Sequence, residues 1–326
     1  MSVKKILLSG IQPSGRVHIG NYFGAMKQFV DLQDTYESYI IIVDLHALTS
    51  TQNPEELRQN IIDLAIDYLA VGLDPKKITL YKQSDVPQVT ELAWIFECIT
   101  TMPYLSRAHA FKDAQTQEKE VNVGTFNYPM LMAADILIQD TDIVPVGQDQ
   151  KQHVEISRDT AEKFNRTFGE TFKIPEPYIL PSVQTFPGTD GQKMSKSYGN
   201  TIGLFASDKE IKEAVMKIPT DSKSVDEPKN PETDNVFALH RFFTAGPEFD
   251  ELRDRYEAGG IGYQESKEIL VRNINRFIAP LRESRGKLEK NMKMVLEVLR
   301  EGGKQASKRA EEKMSEVRKR IGITLP

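Results

Sequence analysis

Two stretches of this chain hold the residue types that handle anionic groups. The first is QPSGRVHIGNYFGAMKQF, from Gln12 to Phe29, which follows directly on the apolar Ile6, Leu7 and Leu8. Gly10 and Gly15 permit a tight turn there, and Gly20 lets backbone come close to a ligand. A helix is expected from about Asn21, and free N–H groups at its start attract an anion. His18 can donate a hydrogen bond to a phosphate oxygen, and Gln12 and Ser14 can add more. Alone, the stretch fits a structural turn as well as a phosphate site. The second stretch is GQKMSKSYGN, from Gly191 to Asn200. Lys193 and Lys196 stand three apart, Ser195 and Ser197 supply hydroxyls, and Gly191 and Gly199 flank the group as candidate hinges. Such a loop can close over a polyphosphate and neutralise charge building on a leaving pyrophosphate. A solvated Lys/Ser loop has the same composition.

The pair is more specific than either member. PSGRVHIGN followed downstream by KMSKS resembles the class I aminoacyl-tRNA synthetases, in which these are the two ATP-binding motifs. Within that class the chain is similar to the bacterial-type tryptophanyl-tRNA synthetases over nearly its whole length. SGIQPSG, GNYFGA, NYPMLMAADIL (127–137) and DIVPVGQDQKQHVE (142–155) carry that likeness.

The resemblance implies ATP-dependent attachment of L-tryptophan to tRNA(Trp) through a tryptophanyl-adenylate. It implies that His18, Lys112, Lys193 and Lys196 act on the phosphates. ATP would also meet Gln12, Pro13, Ser14, Gly20 and Asn21 of the first motif, and Met194, Ser195 and Ser197 of the second. Gly147, Gln148 and Asp149 would complete the nucleotide site. Tryptophan would meet Leu8, His46, Tyr128, Met132, Asp135, Val144, Val146 and Gln150. Mg²⁺ is expected to ride mainly on the nucleotide, with no protein metal site. A homodimer in the cytoplasm is expected. Many bacterial members carry Thr where this chain has His18, and PSVQTFPGTD (181–190) looks shorter than its counterparts.

The chemistry of the middle segment agrees. Tyr128, Met132 and Asp135 fall at i, i+4 and i+7, on one helix face. Asp135 sits among apolar residues in MAADILI, where a carboxylate is costly without a partner. The indole of tryptophan offers one N–H donor and no acceptor. A carboxylate placed to accept it can reject an analogue lacking that donor by roughly 10⁴–10⁵. Met132, Val144 and Val146 would be soft apolar walls. Read without the resemblance, Asp135 is a helix-surface carboxylate bonded to a neighbour. Three other functions compete: a tyrosine-activating relative, a nucleotidyltransferase sharing the first motif, and a non-catalytic paralogue that binds tRNA or tryptophan. The substrate's own carboxylate is the nucleophile in the synthetase reading, so no catalytic triad is required.

These residues need elements to hold them. Ile6–Leu8, Tyr39–Val43, Ile78–Tyr81 and Asp142–Val146 read as strands, the second continuous and β-branched as in a strand buried on both faces. Between the second and third, Asn53 caps and Pro54 opens a helix, Leu57, Ile61, Leu64, Ala65 and Tyr68 make its stripe, and Gly72 ends it. Strand–helix alternation predicts an α/β fold: a Rossmann-like, doubly wound parallel-sheet catalytic domain over 1–205. From about residue 206 strand-like runs give way to helices, which predicts an all-α domain over 206–292 for reading the tRNA anticodon. Leu270, Ile274, Phe277, Ile278 and Leu281 share a helical face, with Pro280 expected to kink or break it. Gly302 and Gly303 are expected to separate a last helix at about 304–321. The segment about 293–326 is expected to touch tRNA or to pack back on the catalytic domain.

The bulk numbers fit. The 326 residues are 27% charged and 39% hydrophobic, an ordinary globular balance. The start MSVKKILLSG has too short an apolar core for a signal peptide, and no run is long enough to span a membrane. The single cysteine, Cys98, excludes an internal disulfide and an iron-sulfur cluster. Net charge is −5, yet residues 281–320 carry 13 Lys/Arg against 7 Glu, a net of +6. Such a tail suits a nucleic-acid partner or a solvated helix face.

Overall fold

The computed structural model describes residues 4–107, 122–147, 151–178 and 186–325. They form two compact units. The first comprises the described parts of Met1–Gly15, Gln28–Pro181 and Asn291–Pro326; the second comprises those of Arg16–Lys27 and Ser182–Lys290.

The first unit is built on a sheet of β1 (Ile6–Ile11), β2 (Glu37–Ile42), β3 (Ile78–Lys82), β4 (Ile143–Pro145) and β5 (Glu176–Tyr178). Its order is β3-β2-β1-β4-β5, with every pairing parallel. The four apolar runs read as strands are strands. β5 gave no sequence signal: it is three residues long with Pro177 at its centre, which an edge strand tolerates. The order reverses between β1 and β4. Ligand crevices of doubly wound sheets open there, beyond the carboxyl ends of the strands. Gly10 lies inside β1 rather than in a turn; a Cβ on it would come within 2.2 Å of the Ile41 carbonyl oxygen on β2.

Helices cover the sheet. In α1 (Pro54–Ala70) the Asn53 side chain accepts from the N–H groups of Glu55 and Glu56, as a capping asparagine should. α2 (Gln88–Ile99) and α3 (Val123–Ile138) pack on each other, with α4 (Lys151–Phe168) against α3. Leu92, Phe96, Met130, Ala133, Ala134 and Phe164 lie in the main buried cluster.

Further along the chain come α5 (Asp208–Met216), α6 (Asn235–Phe243), α7 (Pro247–Ala258), α8 (Tyr263–Glu289) and α9 (Met292–Arg320). α5 to α8 belong to the second unit, and α9 returns to the first. Gly302 and Gly303 do not divide α9, which runs through both. A Cβ on Gly302 would stand 1.9 Å from the Leu80 carbonyl oxygen, so the glycine is what lets the helix lie on β3. Val295, Leu299, Ala306, Ala310, Met314 and Val317 bury the rest of that face. Part of the basic tail faces inward. Arg318 pairs with Glu91 at 2.6 Å, Lys313 with Asp140 at 2.9 Å, and Arg309 donates to the Gln139 carbonyl.

Pro280 does not break α8 either. Arg276, whose carbonyl loses its usual N–H donor, is exposed along with Pro280, so water can satisfy that oxygen. Leu270, Ile274 and Ile278 are fully buried.

The boundary between the units also differs from residue 205. Residues 186–205 join the second unit because they pair with the first motif. Ile19 N–H donates to Ile202 O at 2.9 Å, Leu204 N–H to Val17 O at 3.1 Å, and His18 bridges Gly203 in antiparallel fashion. Among the described residues no helix is long and apolar enough to cross a membrane.

Candidate active site

In the first unit, the α3 face gathers three of the expected residues. Asp135 is not a surface carboxylate: it is 3% exposed. Its Oδ2 accepts from Gln83 Nε2 at 2.7 Å and lies 3.2 Å from His46 Nε2. An ionised carboxylate can only accept, so a hydrogen bond from His46 to ionised Asp135 calls for the Nε2–H form of the imidazole. Oδ1 of Asp135 is buried with no hydrogen-bond partner among the described residues. Burial raises the Asp135 pKa above the ordinary carboxylate value, and the hydrogen bonds from His46 and Gln83 oppose that rise. The Tyr128 ring meets His46 edge-on at 6.1 Å, and its hydroxyl is 3.0 Å from the His153 ring nitrogens. Leu8 and Val144 belong to the main buried cluster, and Met132 and Val146 pack against it half-buried.

The ends of β2 and β3 hold this group in place. Gln83 is fully buried, and its Oε1 accepts the backbone N–H groups of Leu45 and His46 at 3.1 and 3.2 Å. Those bonds orient the amide so that its N–H faces Asp135. Asp44 ties the same two loops together, accepting from Ser84 N–H at 2.9 Å and from Ser84 Oγ at 2.5 Å.

Beyond β1, Pro13 is buried while Gln12 and Ser14 are exposed, and Gly15 turns the chain at φ +90°. Gly147 follows β4, half-buried. Lys112, Gln148, Asp149 and Gln150 lie outside the described residues, as do 181–185 of the shortened stretch.

The second unit brings the two motifs together. The helix begins at Ile19 rather than Asn21, and Asn21 Oδ1 accepts the His18 N–H at 3.0 Å. His18 is 8% exposed, and its Nδ1 has no hydrogen-bond partner among the described residues. Burial, with the nearby Lys196 charge, lowers its pKa to about 4, so the imidazole is neutral at pH 7. A Cβ on Gly20 would lie 3.0 Å from His18 Nδ1 and 3.2 Å from Met194 Cβ. The space beside Gly20 is therefore filled by His18 and the buried Met194. Lys193 and Lys196 are exposed on either side of Met194. Ser195 Oγ and Ser197 Oγ are 3.0 Å apart. Gly191 and Gly199 both take positive φ, which suits glycine at the ends of the loop.

The chain matches the family described as tRNA synthetases class I (W and Y) over residues 3–279. A tryptophan–tRNA ligase of Fusobacterium nucleatum is 51% identical over 317 residues, covering 97% of each chain. One from Rhodopirellula baltica is 46% identical over 97% of this chain and 99% of its own. The crystal structure of the Campylobacter jejuni tryptophanyl-tRNA synthetase complexed with ADP and tryptophan superposes with a TM-score of 0.91. It is 44% identical, covering 97% of this chain and 99% of that one. This chain belongs to the class I tRNA synthetases (W and Y).

Three residues of this synthetase's candidate site gave no sequence signal of their own. Gln83 follows a strand in an unremarkable QSD. His153 lies within the quoted 142–155 segment but was assigned no role. Asn200 was noted only as the end of the second motif, yet it braces the loop. Its Oδ1 accepts Ser195 N–H at 2.8 Å, and its Nδ2 donates to Asp190 Oδ1 at 2.7 Å and to Lys193 O at 3.1 Å. The shared clue was position: Gln83 directly follows β3, and His153 and Asn200 lie inside the quoted motif segments.

Proposed function

We propose that this synthetase attaches L-tryptophan to tRNA(Trp) in two steps. The tryptophan carboxylate attacks the α-phosphorus of ATP, forming tryptophanyl-adenylate and releasing pyrophosphate. The acyl group then passes to the terminal adenosine of the tRNA, and AMP leaves. The observation that carries the choice of amino acid is the buried Oδ1 of Asp135, which has no partner among the described residues. An acceptor without a donor matches an indole N–H, which donates and cannot accept. A phenol also presents lone pairs that want a donor. Gln83 commits one of its two N–H groups to Asp135 and its oxygen to two backbone N–H groups. An indole, which asks only for an acceptor, is the simplest match to the Asp135 oxygen. The ADP and tryptophan named with the Campylobacter jejuni structure support the same pair of ligands here.

In this reading Leu8, Met132, Val144 and Val146 wall the indole, while Tyr128 and His46 orient it. Gln150 serves the amino-acid end. Neutral His18 donates to a phosphate oxygen, and Lys193 and Lys196 meet the charge that develops on the leaving pyrophosphate. Lys112 assists them, and Gln12 to Ser14 with Gly147 to Asp149 meet the nucleotide. Such catalysis rests on placement and electrostatics, since the substrate brings its own nucleophile. Among the described residues no three His, Cys, Asp or Glu side chains form a metal-ligand set. Mg²⁺ would be carried on the phosphates, where it neutralises charge. The α5–α8 helices would read the anticodon, and the enzyme would work as a cytoplasmic homodimer.

Exchange of labelled pyrophosphate into ATP tests the reading. Tryptophan should drive it and tyrosine should not. Asp135→Ala should cut kcat/KM for tryptophan by about 10³-fold or more with KM for ATP little changed. Exchange driven by tyrosine, or an Asp135→Ala enzyme with wild-type constants, would end the tryptophan assignment.

A further inference from the structure

The second unit carries an aromatic cluster that neither motif accounts for. Tyr22 and Phe23 open a π-helical turn, Tyr22–Met26. Such turns are rare and recur at functional sites. Phe23 stacks on Phe186, with centroids 5.2 Å apart and planes 5° apart, and on Phe277 of α8 at 5.6 Å and 19°. Phe242 and Phe243 of α6 close on the same ring at 5.5 and 5.8 Å. Phe23 thus touches α6, α8 and Phe186.

Phe186 leads directly into the second motif. Its carbonyl accepts the Met194 N–H at 2.9 Å, and its neighbour Pro187 bridges Lys193. Met194 in turn sits against Gly20, as does the His18 ring. Phe186 also meets Phe242 of α6 directly at 4.4 Å, so a continuous path of contact runs from α6 to Phe186, and from α8 through Phe23 to Phe186, into the backbone that bears Lys193 and Lys196. Stacked rings fix orientation as well as spacing, which an aliphatic side chain of similar bulk does not.

We infer that Phe23 is a positioning residue for the nucleotide step. By stacking between Phe186 and Phe277 of α8, it ties the Phe186 segment to that helix and sets where the two lysines stand relative to His18. The inference rests on the ATP-binding role proposed above for the two motifs.

The test uses the full chain and four variants: Phe23→Leu, Phe23→Tyr, Phe277→Leu and Phe237→Leu. Phe237 lies in a separate buried cluster of the same unit, with Leu252, Tyr256 and Ile261, and serves as a control for lost stability alone. ATP affinity is read by equilibrium dialysis, and KM for ATP and for tryptophan by pyrophosphate exchange. Phe23→Leu should weaken ATP binding and raise KM for ATP about tenfold, with KM for tryptophan within about twofold of wild type. Phe23→Tyr should restore both values. Phe277→Leu should weaken ATP binding in the same direction, and it decides the matter if Phe23→Leu does not fold. Phe237→Leu should lower the melting temperature and leave ATP affinity alone. Wild-type ATP affinity in folded Phe23→Leu or Phe277→Leu would overturn the inference. So would an equal loss in Phe237→Leu. Exchange that tryptophan fails to drive would count against the amino-acid assignment only, because the dialysis comparison among variants stands without it.

Discussion

Two side chains carry unusual electrostatics for their surroundings, and each has a consequence that can be measured. Asp135 is a buried carboxylate with one oxygen held and one that has no partner among the described residues. His18 is a buried imidazole kept neutral by its burial and by Lys196. Neutrality lets His18 donate to a phosphate without adding a third full charge beside the lysines. His18→Ala should lower kcat for exchange by about 10²–10³, the usual cost of one preorganised donor, with KM for tryptophan unchanged. The same group gives a stability prediction. His18 and the fully buried His240 both have folded pKa values of about 4, below the ordinary 6.5. Between those values the unfolded chain binds protons that the folded chain refuses, so stability is full above pH 6.5 and falls as pH drops toward 4. Melting temperature should therefore decline between pH 6.5 and 4.5, and less steeply in His240→Asn. An equal slope in that variant would remove His240 from the effect. At this scale the sequence was only partly readable. Asp135 stood out because a lone acid in MAADILI has no local excuse. Gln83, which orients it, did not, since a glutamine after a strand fits any loop, and only the fold brings it 52 positions along the chain to Asp135.

The elements were easier to read where burial imposes a pattern, and harder where one residue type serves two ends. Continuous apolar runs marked β1 to β4, because a strand covered on both faces has no polar side to show. Pro280, Gly302 and Gly303 misled for a common reason: helix-breaking tendencies are local, and packing outweighs them. Two glycines in a helix interior cost about 2 kcal/mol relative to alanine. The close approach of α9 to β3 needs that missing side chain, and the buried face of α9 offsets the cost. Substitution separates the two effects. Gly302→Ala forces a Cβ to within 1.9 Å of the Leu80 carbonyl oxygen, a backbone atom that cannot swing away. It should destabilise the protein by about 3 kcal/mol or more despite its better helix propensity. Gly286→Ala in α8 meets nothing within 4 Å and should stabilise by about 0.5–1 kcal/mol. Urea denaturation of the two variants measures both signs. A stabilising Gly302→Ala would mean that α9 does not lie on β3 this closely.

At the scale of the molecule, the path of the chain explains what the charge pattern could not. The basic last helix is not a free tail. It supplies part of the first unit's core and directs several of its cations at Glu91, Asp140 and the Gln139 carbonyl. An exposed apolar group of the first unit lies elsewhere. α2 presents Trp94 at 66% exposure with the exposed Cys98 one turn along, and Met102 just beyond the helix is 72% exposed. Exposed tryptophan is uncommon on a monomer and enriched at interface centres, where truncation often costs 2 kcal/mol or more, as an order of magnitude. A second copy is the partner proposed for this face, because a two-fold contact sets the same patch against itself and needs no other complement. Trp94→Glu would then bring like charges together across the axis, while in a monomer it would only exchange one exposed side chain for another. Sedimentation should show a dimer for the wild-type protein and a monomer for Trp94→Glu at equal melting temperature. A wild-type chain that sediments as a monomer, or a Trp94→Glu chain that remains a dimer, would move the interface away from α2.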